Sequence, residues 1–295
     1  MRRPILPLFY EKAGSLMDRS RIFPRLCRLL TAALTLTGVA LRSVCLLAHF
    51  DPSVGYFNEG ILPTLSDILY YLAVIAAITC AALIPKGTLP TELNTRLRRP
   101  VAVLWGLSLA AFTLGVLLVC YKDRTNTFLT VPMVMGILAS LYFFLTGSKT
   151  GRYSDGLCAL GFLPVFWCVA SAWETYTDQF TAMNSPIKIS LQMGFLGLAL
   201  ILVSELRFRL GKALPRVATA LMSIGVFFSM NGAIPVLLGT GAHLLDNELH
   251  LFYSFVLLCG GVYGAFTLGQ LLSPAEPAEA PAPAPDIPTD SPNAE

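Results

Sequence analysis

A helix needs about 20 mostly apolar residues to cross the hydrocarbon core of a bilayer, because each residue advances it by only about 1.5 Å. Eight stretches of this chain meet or approach that length: approximately Leu29 to His49, Leu62 to Leu83, Val101 to Tyr121, Phe128 to Thr146, Leu157 to Trp173, Ile187 to Leu206, Val217 to Leu238 and Leu251 to Leu272. Short polar connections join them, too short to hold a folded extramembrane domain. The sequence therefore predicts an all-α polytopic membrane protein of about eight transmembrane helices. Pro132 and Pro164 fall inside the fourth and fifth stretches, where a membrane helix tolerates proline and kinks are expected.

Composition agrees. Of the 295 residues 55% are hydrophobic and 13% charged, against roughly 25% charged in soluble domains, and the mean hydropathy is +0.65. A disordered chain and an ordinary soluble enzyme are both excluded. The seven cysteines are scattered, odd in number and mostly inside apolar runs, so they read as free buried thiols rather than a disulfide framework or a zinc site. The first apolar run follows a long basic leader and lacks a small-residue cleavage site, so it is expected to remain in the mature protein.

Lys and Arg set the expected orientation, since cytoplasmic loops retain positive charge. One face collects 17 of the 21 basic residues, from Arg2 through Arg28, Lys86 to Arg99, Lys149 with Arg152, and Arg207 to Arg216; the other has Lys122, Arg124 and Lys188, and Arg42 lies within the first helix. Both termini are expected to be cytoplasmic. The opposite face carries acids, among them Asp51, Glu59, Asp123, Glu174, Asp178, Asp246 and Glu248. Three regions result: a basic N-terminal segment (1–28), a helical bundle (29–272) and a tail (273–295). That tail holds seven Pro, five acids and no base, which predicts disorder. The basic balance suits anionic lipid, and no ordered basic-aromatic array suggests nucleic acid. Arg99-Pro100-Val101-Ala102 and Pro215-Arg216-Val217-Ala218 open helices four apart, a faint hint of a parallel repeat that the positive-inside rule also explains.

Polar residues inside apolar helices are the best pointers to a site, because they are costly there and usually face protein or water. In the first helix Thr31, Thr35, Gly38, Arg42, Cys45 and His49 recur at spacings of three and four and share one face. Thr64, Asp67 and Tyr71 do the same in the second. Arg42 and Asp67 can meet at similar depth, as a structural ion pair or as part of a solute or proton path. Around the fifth helix Trp167, Ser171, Glu174 and Asp178 share a face if helix continues past Trp173. Ser185-Pro186 has N-cap and N1 character for the sixth, which carries Gln192. Glu174, Asp178 and Gln192 would then form an acidic vestibule that attracts a cation or amine, the alternative being an interfacial aromatic belt around Trp173 and Tyr176 with solvated acids. Asn231, with Ser229 and Pro235, is suited to hydrogen bonding between helices or to solute contact.

Other features look structural. Glu205 and Arg209 read as an interfacial i,i+4 salt bridge, and Gly260-Gly261-Val262-Tyr263-Gly264 as a close-packing GxxxG. His243, Asp246, Glu248 and His250 do not have a zincin spacing, and no metal ligand set or cofactor is assigned. The sequence contains no G-x-S-x-G elbow, H-E-x-x-H helix or Walker loop, and no nucleophile is paired with a base, so no catalytic residue is assigned.

The segments Phe50-Asp51-Pro52-Ser53-Val54-Gly55-Tyr56-Phe57, Met183-Asn184-Ser185-Pro186-Ile187-Lys188 and Ser204-Glu205-Leu206-Arg207-Phe208-Arg209-Leu210-Gly211 resemble uncharacterised multi-spanning membrane proteins of Clostridia-like Gram-positive bacteria, over most of the chain except the tail. The resemblance implies a bacterial plasma membrane and no activity. The expected function is solute binding or transport, with Arg42, Asp67, Tyr71, Glu174, Asp178, Gln192 and Asn231 as candidate site residues and a small, cationic solute as ligand. The alternative is a non-transporting sensor or accessory subunit bound to a membrane partner.

Overall fold

The computed structural model describes residues 6–93, 95–123, 130–147, 153–178, 181–245 and 247–273. Among them the chain forms α1 (Leu6–His49), a hairpin of β1 (Phe50–Asp51) and β2 (Tyr56–Phe57), α2 (Ile61–Leu83), α3 (Thr95–Asp123), α4 (Thr130–Gly147), α5 (Asp155–Leu160), α6 (Phe162–Thr177), α7 (Pro186–Arg209), α8 (Pro215–Gly241) and α9 (Glu248–Leu271). Eight segments are long and apolar enough to span a membrane, α5 and α6 together supplying one of them. The architecture is that of an all-α, multi-pass membrane protein. Residues 274–295 of the tail, and Arg2, Arg3, Arg124, Lys149, Arg152 and Asp246, lie outside the described residues.

Two expectations about helix ends are corrected. The first helix does not begin near Leu29: it runs from Leu6 to His49 with Pro24 inside it, and its part from Ile22 to His49 is long and apolar enough to span a membrane. The fifth span breaks at Gly161 rather than kinking at Pro164. Pro164 has no N–H for the Leu160 carbonyl, so α5 ends there, and the Gly161 N–H turns back to Leu157 and Cys158. Pro132 lies within α4 and is buried.

Helices α7, α8 and α9 form the centre. Glycines let α7 and α8 approach closely: a Cβ at Gly232 would meet the Ser190 carbonyl at 2.5 Å, and one at Gly225 the Gly197 carbonyl at 2.4 Å. The GxxxG of α9 is used inside the bundle, Gly260 against Leu198 and Gly264 against Ile201, both on α7, which is how close packing compensates for a lipid environment without a hydrophobic drive. On one side α3, α4 and α6 complete the main core, and on the other α1 and α2 lie against α8. Of the α8 span 72% is buried, of the α2 span only 17%, so α2 is largely a lipid-facing helix whose packed stripe is Ser66, Ala73, Ala77 and Ala81.

The two faces differ. At one, Arg28 donates to the Gly269 carbonyl at 3.1 Å and to Ser273 Oγ at 3.2 Å, joining the first span to the last; this is the basic face. At the other, the β-hairpin pairs Phe50 with Phe57. Asp51 Oδ1 accepts from the Ser53 hydroxyl at 2.6 Å and the Ser53 amide at 2.9 Å, and those bonds hold its carboxyl below the usual carboxylate range. Gly55, at φ +79°, occupies the left-handed region that glycine enters without strain.

Candidate functional site

Side chains at the hairpin-face ends of five helices, α1, α2, α6, α7 and α9, converge on two polar groups. Local sequence signals fix the helices that carry them. Ser185 caps α7, its Oγ accepting the Ile187 amide at 3.3 Å, with Pro186 at the first helical position, as the sequence predicts. Asn247 caps α9 through the Leu249 amide at 3.0 Å. Helix α6 continues to Thr177, and this brings Glu174 and Asp178 to one face.

The first group is assembled from α6, α7 and α9. Tyr253 donates to Glu174 Oε2 at 2.7 Å, Lys188 Nζ donates to the Asp178 carbonyl oxygen at 2.6 Å, and His250 Nε2 lies 3.8 Å from Asp178 Oδ2. Thr181 donates to the same Asp178 oxygen at 2.6 Å. Glu174, Lys188 and His250 are each under 5% exposed and Tyr253 is fully buried. Beneath them Tyr253 stacks on Phe112 and meets Phe195 edge-on, and Trp167 meets both phenylalanines edge-on, so the polar group sits on an aromatic floor. The acidic vestibule expected from sequence is thus closed rather than open. Trp173 and Tyr176 face outward, 62% and 56% exposed, with ring centroids 6.2 Å apart; the solvated acids of the aromatic-belt alternative are not found, since Glu174 is buried on the other side of the helix.

The second group is centred on Arg42, buried on α1. Its guanidinium donates to Ser190 Oγ at 3.1 and 3.3 Å, to the Pro186 carbonyl at 3.0 Å and to Asp67 Oδ1 at 3.2 Å, and it lies over the Phe57 and Tyr70 rings at 4.8 and 5.8 Å. The expected meeting of Arg42 and Asp67 occurs. It is uneven, however: the Arg42 side chain is 7% exposed and that of Asp67 is 68%. A cavity of about 10 Å³, room for one water, lies between Arg42, Phe57, Ser190 and Pro235.

The start of α7 links the groups, since Pro186 and Ser190 serve Arg42 while Lys188 serves Asp178. Tyr56 of the hairpin also donates to the Met183 carbonyl. The connection from Asp178 to Pro186 is thereby held by side chains from α1, β2 and α7.

The other candidates fall elsewhere. Tyr71 is 72% exposed and belongs to neither group. The Thr64–Asp67–Tyr71 stripe faces outward, with only the Asp67 carboxylate reaching Arg42, and the tyrosine beside the guanidinium is Tyr70. Gln192 is half-buried, with no hydrogen bond to either group. Asn231 is fully buried at the crossing of α8 on Gly38, one turn from Arg42; its amide donates to the Phe227 carbonyl at 2.8 Å and its Oδ1 has no partner.

Sequence reasoning missed Lys188, Ser190, His250 and Tyr253 as members of these groups. Lys188 left a signal: a cation in the first turn of a helix opposes the macrodipole and requires compensating anions. Sequence spacing reads Glu205–Arg209 as an interfacial i,i+4 salt bridge, and the pair forms. The pair is buried, 3.5 Å apart, with Tyr263 donating to Glu205 and the Arg209 guanidinium 5.1 Å over Tyr153. Tyr253 and Tyr263 thus each serve a glutamate, at opposite ends of α9. Comparison of the chain with protein-family models, curated proteins and solved structures finds no significant match in any of the three.

Proposed function

We propose that this is a solute-binding membrane protein of the transport type, with its basic face in the cytoplasm of a bacterial cell, and that Glu174, Asp178, Lys188, His250 and Tyr253 form its ion-responsive element. One observation carries the reading: a buried carboxylate, a buried ammonium and a buried imidazole from three helices meet where apolar packing would be cheaper. Removing charges from water costs several kcal/mol per ion, and inside membrane spans ionisable groups mark ion and solute paths by default. Two carboxylates favour a small cation or a proton. The closed hairpin face corresponds to an occluded arrangement, in which release requires the Asp178–Pro186 connection to move.

A second reading, a non-transporting sensor or accessory subunit, draws on the same closure: the cavity beside Arg42 and the one between Thr31 and Phe227 have room for one water each. The two separate in proteoliposomes loaded with a pH-sensitive dye and exposed to Na⁺, K⁺, choline, ethanolamine or putrescine gradients. Transport predicts a cation-dependent signal that Glu174→Gln abolishes while thermal stability stays near that of wild type. Silence for every cation from folded wild-type protein overturns it and favours the second reading.

A further inference from the structure

A sizeable cavity lies not at the polar groups but at the basic face, where the connection after α2 meets the start of α8. It measures about 320 Å³, and its wall includes Pro85, Lys86, Leu89, Leu214, Arg216 and Val217. Two cations and no acid line it. Neither Lys86 nor Arg216 has a hydrogen-bond or ion-pair partner among the described residues, and the Arg216 Nε is buried without one. A buried donor left unpaired is costly, and Arg216, a residue of the cavity wall, carries one.

The local backbone holds that arrangement. Gly87, at φ +81°, turns the chain so that exposed Lys86 projects, and Thr88 closes the turn onto the Pro85 carbonyl at 2.9 Å. Ile84 and Leu89 anchor the connection in the core. Across the cavity α8 opens at Pro215 with no side-chain cap, so the amides of its first turn add to the positive potential. The apolar part matters equally. Leu89, Leu214 and Val217 offer a greasy wall, and Leu83 and Val217, 51% and 48% exposed, continue it onto the membrane-facing surface. A free phosphate needs only the cations, whereas this site joins cations to an apolar wall at the depth where spans end.

We propose that this cavity binds the phosphate headgroup of one anionic phospholipid, with Lys86 and Arg216 on the phosphate and the glycerol region against Leu89, Leu214 and Val217. The test is native mass spectrometry of the full-length protein in detergent with added phosphatidylglycerol or phosphatidylcholine, together with a thermal-shift titration of inorganic phosphate. The expected result is one retained phosphatidylglycerol, bound in preference to phosphatidylcholine. Affinity should fall by roughly thirtyfold in the Lys86→Gln, Arg216→Gln double variant and about fivefold in Lys86→Gln alone, given the usual contribution of a cation near an anionic surface. Lys212→Gln, which removes a charge from the same face outside the cavity wall, should leave it unchanged. An equal loss in Lys212→Gln, indifference between the two lipids, or stabilisation by inorganic phosphate matching that by phosphatidylglycerol would each overturn the proposal.

Discussion

Tyr253 donates its hydroxyl proton to Glu174 Oε2 at 2.7 Å, tying the last turns of α6 to the second turn of α9, with each side chain under 4% exposed. Because the acceptor is buried, the donor's loss is not made good by water. Tyr253→Phe should cost roughly 1.5–3 kcal/mol, the range for hydrogen bonds to charged groups, read as a lowered apparent melting temperature in detergent. Adding Glu174→Gln should restore part of the loss, since the two residues act on one another and their effects are not additive. Simple additivity would show that the bond contributes little.

The Arg42–Asp67 pair should behave asymmetrically. Asp67 is largely exposed, so Asp67→Asn should cost less than about 1 kcal/mol, and the coupling in a double-mutant cycle should lie within the 0.2–1 kcal/mol usual for exposed pairs. Arg42→Ala instead empties the space among Phe57, Tyr70 and Ser190 and should cost roughly 2–5 kcal/mol, as for other large-to-small core changes. Equal effects from the two substitutions would contradict the burial difference.

Two glycine substitutions should move stability in opposite directions. A Cβ on Gly38 would lie 2.8 Å from Asn231 Oδ1 and 2.9 Å from the Phe227 ring, so Gly38→Ala must push α1 off α8 at a cost of roughly 1–3 kcal/mol. A Cβ on Gly156 meets nothing within 4 Å, and Gly156→Ala inside α5 should gain about 0.4–1 kcal/mol through the unfolded chain. Thermal unfolding of both variants beside wild type checks the pair.

The hairpin should loosen in acid. Asp51 is held below the usual carboxylate range by the Ser53 hydroxyl and amide, so its ionised form supports the folded turn. That support is present above the unfolded carboxylate value and is lost as pH falls through the lower, folded one. Hydrogen exchange of residues 50–57 should stay slow down to the ordinary carboxylate range and quicken below it. Asp51→Ala should show the fast exchange at neutral pH.

Span positions were legible because eight apolar runs leave little choice, and α1's inward face was legible because its polar residues recur at helical spacing: Thr35, Gly38, Arg42 and Cys45 are all buried. Spacing alone failed on α2, where a stripe just as regular faces outward; a period says which residues share a face and not which face meets a partner. At Glu205–Arg209 the expected i,i+4 ion pair forms, and what spacing could not say is whether water or Tyr263 lies beyond it. Lys188 and His250 belong to the polar group through contacts between helices distant in sequence, and no local pattern carries that information.

Residue order and packing order run against each other in this bundle. Helix α8, the most buried span, is the seventh of eight to leave the ribosome, and α1 and α2 both rest on it. During synthesis the first two spans must therefore wait in lipid with only each other for company. Arg42 would enter the bilayer then without Ser190 or the Pro186 carbonyl, which arrive some 145 residues later. Asp67, only 25 residues on, is the anionic partner already made. The weak, exposed bond of the finished protein is thus the bond that can neutralise Arg42 while the rest of the bundle is still being translated.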